Sequence, residues 1–381
     1  MAKHVDSQVG LPVDGAFRPT VDGWTFAARS PATGERLWDV PDAAPADADV
    51  AVEAAWRAAH ATGWSTDTGM RAEAVRGFRD ALAGAADDLA LLLATETGVP
   101  VSMRDAHVDG PIAELPASLA RRAAGVTVVL TPATAPLSVA VREIGRAVAA
   151  GGTVVLKPAP EAASAAIELG RIALDVLPRG VLNVVTTRDV DVAIGLTRHR
   201  RVDEVAFTGS AAAGERVRGA ASTAGKRVRV DTGGARTVRA HEDDLEAVVA
   251  TAAATVAANA GQGCRLPTTV VVPTYRYLDG LHAAVEAMGR VAVGDPTDPG
   301  TLCGPLRSPV ALDRVRRYLD LARSEGGDVV LGGAPIERPG WWFAPTVIGG
   351  LDLGSRLVTE EVLGPVLMVV PDSPRGSSAR A

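Results

Sequence analysis

The sequence predicts an α/β fold built around a parallel sheet. Short continuous apolar runs recur through its middle third, among them Val126–Leu130 (VTVVL) and Thr153–Leu156. Runs of that length, apolar at nearly every position, suit strands buried on both faces. A helical stretch follows each run and ends at Gly or Pro, as at Gly151-Gly152 and Pro178. Strand and helix alternate in this way over about a hundred residues, the pattern of parallel strands joined by right-handed crossovers. A chain of 381 residues exceeds one ordinary core, so two domains are expected, with a boundary near Gly233-Gly234.

Residues 1–45 are rich in Gly, Pro and Asp and read as short strands and turns on a domain surface. Helices are expected over 47–61, with Asp47 or Asp49 as N-cap, and over 67–83 and 86–97, the last ended by Gly98 and Pro100. The stretch 101–124 reads as helical with a break at Pro111. Strand 126–130 precedes helix 137–150, strand 153–156 precedes helix 161–177, and strand 181–185 precedes helix 189–197. Strand 203–207 turns through Thr208-Gly209-Ser210 into helix 211–224, and strand 227–231 follows. Beyond Gly234, Asp243 or Asp244 caps a helix to about 258, then come strand 268–272 and helix 276–288. A strand and turn over 291–296, helix 309–324, strand 328–331, a loop over 332–340, and further strand over 341–347 and 357–370 complete the reading. Residues 372–381 form a polar tail.

Composition narrows the function. Hydrophobic residues make up 47% and charged residues 22%, the profile of a soluble globular protein. The net charge of −6 and the 4% aromatic content argue against nucleic acid as a partner. No apolar run reaches membrane-spanning length, and MAKHVDSQVG has no apolar leader core. Cys264 and Cys303 form neither a CxxC pair nor a disulfide framework, which suits a reducing cytoplasm. The six histidines lie far apart and no HExxH occurs, so no metal site is expected.

Ligands of open parallel sheets sit beyond the carboxyl ends of the strands. That edge is expected at 131–136, 157–161, 208–210 and 231–234. The sequence has no GxGxxG after a strand, no GxxxxGK[ST] and no GxSxG. The small turn Thr208-Gly209-Ser210 can still let an anion approach helix N–H groups. Lys157 ends one strand and can meet a ribose or phosphate, or simply be a solvated charge. Asp231 ends another and can act as a general base, or as a cap or ion-pair partner. The stretch Asn259-Ala260-Gly261-Gln262-Gly263-Cys264-Arg265 puts a thiol on a Gly-rich turn after a helix. Such a thiol can be exposed and ringed by backbone N–H groups, as a reactive thiolate requires. Most cysteines outside disulfides are instead small buried hydrophobes.

Together these pieces resemble the aldehyde dehydrogenase superfamily. The resemblance rests on Ala149–Pro158 (AAGGTVVLKP), Gly180–Val185, Phe207–Ser210, Gly233-Gly234, Asn259–Cys264, Gly294-Asp295-Pro296, Gly304-Pro305-Leu306, Ala344–Val347 and Glu360–Val366. They stand in the family's order, at near-family spacing, from about Ser30 to Val370. The resemblance implies an aldehyde dehydrogenase-like α/β fold: a parallel-sheet cofactor-binding domain over 1–233, an α/β catalytic domain over 234–371, and the tail 372–381. It implies that Cys264 is the nucleophile. Its thiolate attacks a small-molecule aldehyde, a hydride passes to NAD or NADP, and water hydrolyses the thioester that remains. The Cys264 backbone N–H would hold the oxyanion. Lys157 matches the lysine on the adenosine ribose, Gly209 and Ser210 the turn at the pyrophosphate, and Glu361 the glutamate on the nicotinamide ribose. Leu363 stands where the family usually has phenylalanine.

Three departures bear on this expectation. Asp231 replaces a glutamate general base and is one methylene shorter; a misplacement of about 1 Å can cost about 100-fold. Thr134 replaces an asparagine oxyanion donor, and loss of such a donor costs about 10²–10³ in rate. Pro160, followed by Glu161, stands where a ribose-binding glutamate often sits, which leaves NAD and NADP undivided. The chain is also short for the family between Val101 and Val126 and after Pro371, where the family's oligomerisation arm is expected. A monomer or nonstandard dimer in the cytoplasm follows as the expectation. Two alternatives to hydrolytic oxidation stay open: a catalytically impaired binding protein of the same fold, and an acylating enzyme that passes the acyl group to coenzyme A.

Overall fold

A computed structural model describes residues 10–115 and 125–373. The chain forms two compact units. The first holds the residues up to Arg29, Arg36–Thr97 and Arg104–Thr232; the second holds Ser30–Glu35, Gly98–Met103 and the chain from Gly233 onward.

The first unit opens with two small antiparallel pairs, β1 (Leu11–Val13) with β2 (Ala16–Arg18) and β3 (Thr25–Arg29) with β4 (Arg36–Pro41). Helices α1 (Pro45–His60), α2 (Thr68–Gly84), α3 (Ala86–Thr97) and α4 (Gly110–Ala113) follow. The sheet is built from β5 (Val126–Leu130), β6 (Thr153–Lys157), β7 (Leu182–Val184), β8 (Glu204–Gly209) and β9 (Arg227–Thr232). Its crossovers are α5 (Pro136–Ala149), α6 (Ala163–Val176), α7 (Val190–Arg198) and α8 (Ala211–Thr223). All pairings are parallel, in the order β7-β6-β5-β8-β9. Every residue of β5 is buried, as its nearly continuous apolar run requires.

The second unit holds β10 (Thr237–Arg239), α9 (Leu245–Ala257), β11 (Thr269–Val272), α10 (Tyr277–Gly289), α11 (Pro309–Ser324), β12 (Asp328–Leu331), β13 (Thr346–Gly349), α12 (Arg356–Thr359) and β14 (Val366–Pro371). Its sheet runs β10-β11-β14-β13-β12, parallel except for β12. The strand alternation sorts its core into two layers. Val270, Val272, Leu367 and Val369 pack with Leu245, Val249 and Ala284 from α9 and α10. Val271, Val366, Met368 and Val370 pack with Val315 and Leu319 of α11.

Several expected elements differ. The expected helical stretch 101–124 is helical over 101–113, in mixed form: a 3₁₀ turn at Val101–Met103, a π-helical turn at Asp105–Asp109 and the single turn α4. Pro111 lies second in α4 and does not break the helical stretch, because proline's missing N–H costs little in a first turn. The remainder, 116–124, lies outside the described residues, as does the tail beyond 373. The N-cap of α1 is Ala44; Asp47 lies inside the helix, where its carboxylate accepts the Ala44 N–H at 2.9 Å. Residues 291–296 form one isolated bridge, Val293 to Cys303, not a strand. The apolar stretch 357–370 hides α12, capped by Ser355, and the expected 341–347 strand region contributes only its last two residues to β13, Thr346–Gly349.

Candidate active site

In the first unit the chain builds outward from β5 to β7 and then returns to the other side of β5 with β8. The strand order therefore reverses between β5 and β8, and the crevice at such a reversal is where open sheets bind ligands. Leu130 pairs with both Lys157 and Phe207, and Thr208 pairs with Asp231. That register brings Thr134, Lys157, Gly209, Ser210 and Asp231 to one carboxyl edge.

Ser210 is the N-cap of α8, its Oγ accepting the Ala213 N–H at 3.4 Å. The first turn of α8, Ala211-Ala212-Ala213-Gly214, has no bulky side chain to shield its N–H groups. A Cβ on Gly209 would lie 2.5 Å from the Phe207 ring, so the turn admits only glycine in this packing. Burial lowers the Lys157 ammonium from its usual range, while Glu161 and Asp42 pull it back up. Thr134 is buried and Asp231 exposed. Thr131, which the sequence reading missed, follows β5 with its hydroxyl buried and unpartnered among the described residues. A threonine at the end of an apolar run gives no sequence signal of its own.

In the second unit Cys264 is exposed and Cys303 buried. Burial pushes the Cys303 thiol up to about 12, which keeps it protonated. The turn before Cys264 takes left-handed backbone at Asn259 (φ 51°), Ala260 (51°) and Gly261 (69°), and Arg265 just after it does the same (57°). Of the five non-glycine residues with left-handed φ among the described ones, four lie here or at Leu363 (57°). Such conformations cost about 1–2 kcal/mol each and persist where surrounding structure imposes them. The imposing structure is a buried amide network. Asn259 Nδ2 donates to the Gln262 carbonyl at 3.1 Å, and Gln262 Nε2 donates to Asn259 O at 3.2 Å and Pro305 O at 3.1 Å. Gln262 gives little sequence signal, since one amide inside a Gly-rich turn looks like loop composition.

Glu361 stands in the same unit, ahead of β14. Burial pushes its carboxyl up, against Arg314, the Gly234 N–H and Arg307, which favour the charged form. Its Oε1 is buried and has no hydrogen-bond partner among the described residues. Gly233 makes room for it, since a Cβ there would lie 2.2 Å from that oxygen. Arg314, also missed in the sequence, donates to the carbonyls of Val362 at 3.0 Å and of Glu361. It thereby braces the turn in which Leu363 is strained. Among the described residues no group of three or more His, Cys, Asp or Glu is placed to hold a metal ion. No helix there is long and apolar enough to cross a membrane.

Comparison with known proteins places the chain in a family. The aldehyde dehydrogenase family model matches residues 19–373. A geranial dehydrogenase of Castellaniella defragrans is 32% identical over 364 residues, covering 89% of this chain and 76% of that protein. Aminoaldehyde dehydrogenase 2 of Zea mays is 29% identical over 397 residues, covering 94% and 78%. Among solved structures, an NAD-dependent aldehyde dehydrogenase from Sinorhizobium meliloti superposes with a TM-score of 0.91 at 28% identity, covering 97% of this chain and 79% of that one. An NAD⁺ complex of a Bacillus cereus aldehyde dehydrogenase gives 0.90 at 27%, covering 97% and 80%. The chain belongs to the aldehyde dehydrogenase family of oxidoreductases.

Proposed function

We propose that the chain oxidises a small aldehyde to a carboxylic acid with a nicotinamide dinucleotide, using Cys264 as nucleophile. The observation that carries this is the exposed thiol of Cys264 behind three consecutive left-handed residues. Strain concentrated on one turn marks a side chain held for use. The first unit is assigned the cofactor and the second the nucleophile.

The residues present fit the dinucleotide. The unpartnered, buried Oε1 of Glu361 suits a ribose hydroxyl, and Lys157 suits the other ribose. Gly209, Ser210 and the open first turn of α8 suit a pyrophosphate. Leu363 adds an apolar wall beside Glu361. NAD is the cofactor named for solved relatives, and is the first to test here; NADP is the comparison. When bound, the dinucleotide supplies the hydride acceptor.

The chain's own groups do the remaining work. The Cys264 thiolate attacks the carbonyl carbon, and its backbone N–H supports the developing oxyanion. Thr134 is assigned the side-chain donor to that oxygen. Asp231 is assigned the activation of the water that releases the acid, with a reach one methylene shorter than glutamate's.

The test is NADH formation with a panel of aldehydes, with NAD or NADP, and with or without coenzyme A. Cys264→Ala is expected to abolish it, and Asp231→Glu to speed release of the acyl group. Turnover only with coenzyme A would replace hydrolysis by acyl transfer. Failure of both wild type and Asp231→Glu to turn over any aldehyde or bind either dinucleotide would overturn the reading.

A further inference from the structure

Arg307 has no part in the roles assigned so far, yet its place is tightly determined. It follows Gly304-Pro305-Leu306, where Leu306 is fully buried and a Cβ on Gly304 would lie 2.4 Å from the Gly98 carbonyl oxygen. From this fixed segment Arg307 directs two donors at one atom. Its backbone N–H reaches Gln262 Oε1 at 2.9 Å, and its guanidinium Nη1 reaches the same oxygen at 3.2 Å. The opposite end of that amide donates to Asn259 O and Pro305 O. Gln262 is 1% exposed and precedes Cys264 by two residues.

An amide can flip by exchanging its oxygen and nitrogen. Flipped here, Gln262 would set its NH₂ against two Arg307 donors and its oxygen against two carbonyls. All four contacts would become repulsive in a buried site. The charge-assisted guanidinium bond strengthens the preference for one orientation. That orientation holds Asn259 O, and Asn259 in turn closes the strained turn through Nδ2. We propose that Arg307 is a positioning residue for the nucleophile, acting on Cys264 through the single orientation it imposes on the Gln262 amide. This rests on the reading of Cys264 as a nucleophile. The same guanidinium also favours the ionised form of Glu361, so one side chain bears on both turns.

The experiment follows the rate at which iodoacetamide alkylates Cys264, read by peptide mass spectrometry as a function of pH, in the full chain. Cys303, buried and protonated, serves as the unreactive control. Arg307→Met is expected to slow alkylation about fivefold or more with the thermal midpoint retained, and Arg307→Lys to recover most of the rate. In a double-mutant cycle, Arg307→Met is expected to add little once Gln262→Met is present. A wild-type alkylation rate in Arg307→Met, or independent multiplication of the two effects, would overturn the proposal. Should Gln262→Met fail to fold, the Met and Lys variants at 307 decide the matter between them. A chain that oxidises no aldehyde but whose alkylation follows Arg307 would sink the dehydrogenase reading and keep this one. An active dehydrogenase whose alkylation ignores Arg307 would do the reverse.

Discussion

Gly261 approaches Gly364 so closely that a Cβ on Gly261 would lie 1.9 Å from the Gly364 carbonyl oxygen. Gly364 is itself closed in, since its own Cβ would lie 2.5 Å from Val315 Cγ2 on α11. The Cys264 turn and the Glu361 loop therefore meet backbone to backbone, with no side chain between them. Gly261→Ala adds both the clash and a side chain at φ 69°. It is expected to destabilise the chain by about 3 kcal/mol or more, read as a lower midpoint in urea at unchanged slope. A loss under about 1 kcal/mol would mean the two turns can move apart.

Gly233→Ala tests the Glu361 carboxylate separately. The new Cβ would displace Oε1, the oxygen assigned to a ribose hydroxyl. The dissociation constant for NAD, measured by calorimetry, is expected to rise about tenfold, roughly the worth of one hydrogen bond to a charged group. The alkylation rate of Cys264 without cofactor should stay near wild type.

Glu96 should make stability fall as pH rises. Its carboxylate accepts the Ser164 and Ala165 N–H groups at the start of α6, at 2.9 and 3.2 Å. Full burial nevertheless pushes its carboxyl from 4.5 up to about 7, outweighing those hydrogen bonds. A raised folded-state value means that the folded chain binds the proton more tightly than the unfolded one. The stabilisation is complete below about 4.5 and lost as pH climbs through about 7. Its full size is about 3 kcal/mol. Glu96→Gln is expected to remove this contribution from the pH dependence read in urea titrations; a pH dependence unchanged from wild type would show that Glu96 ionises normally.

His107 should act in the opposite sense. Burial lowers its imidazole from 6.5 to about 4, and Nδ1 has no hydrogen-bond partner among the described residues. A depressed folded-state value gives stability that is present above 6.5 and lost as pH falls through about 4. His107→Leu is expected to remove this contribution, leaving the opposing Glu96 slope exposed, and to cost little at neutral pH, since it replaces an unsatisfied polar group with an apolar one. Because the two windows overlap, the wild-type slope between about 4.5 and 6.5 is the difference of two larger ones. Each single variant is therefore expected to look steeper than the wild type, with opposite sign.

The parts of the fold legible in the sequence were those whose burial is symmetric. Val126–Leu130 and Thr269–Val272 are apolar at nearly every position and buried throughout. In the second of these, α9 and α10 cover one sheet face and α11 the other. Where burial is lopsided the signal fails. β10 is three residues, Thr237–Arg239, with only its middle one half-buried, too short for any period to appear. The Val291–Val293 run looks like a strand but makes one bridge, because its apolar side chains pad α11's core without a pairing edge. Cys264, Lys157 and Glu361 stand out in the sequence as candidates because each lies in a motif-like setting. Gln262, Arg307 and Arg314 do not, because each acts on a partner more than about forty residues away that only the folded chain supplies. Thr131 stayed hidden because its signal is an unfilled lone pair.

The amide of Gln262 has a consequence for anyone redesigning this protein. Three stretches far apart in the chain, 259–264, 304–307 and 361–365, touch through glycines, carbonyls and one saturated amide. None of these contacts tolerates an added atom or a reversed dipole. The stretches therefore form a single inheritable cassette: grafted alone, the cysteine hexapeptide would arrive in a new scaffold without the parts that bend it, while the three transplanted together would carry their own mould.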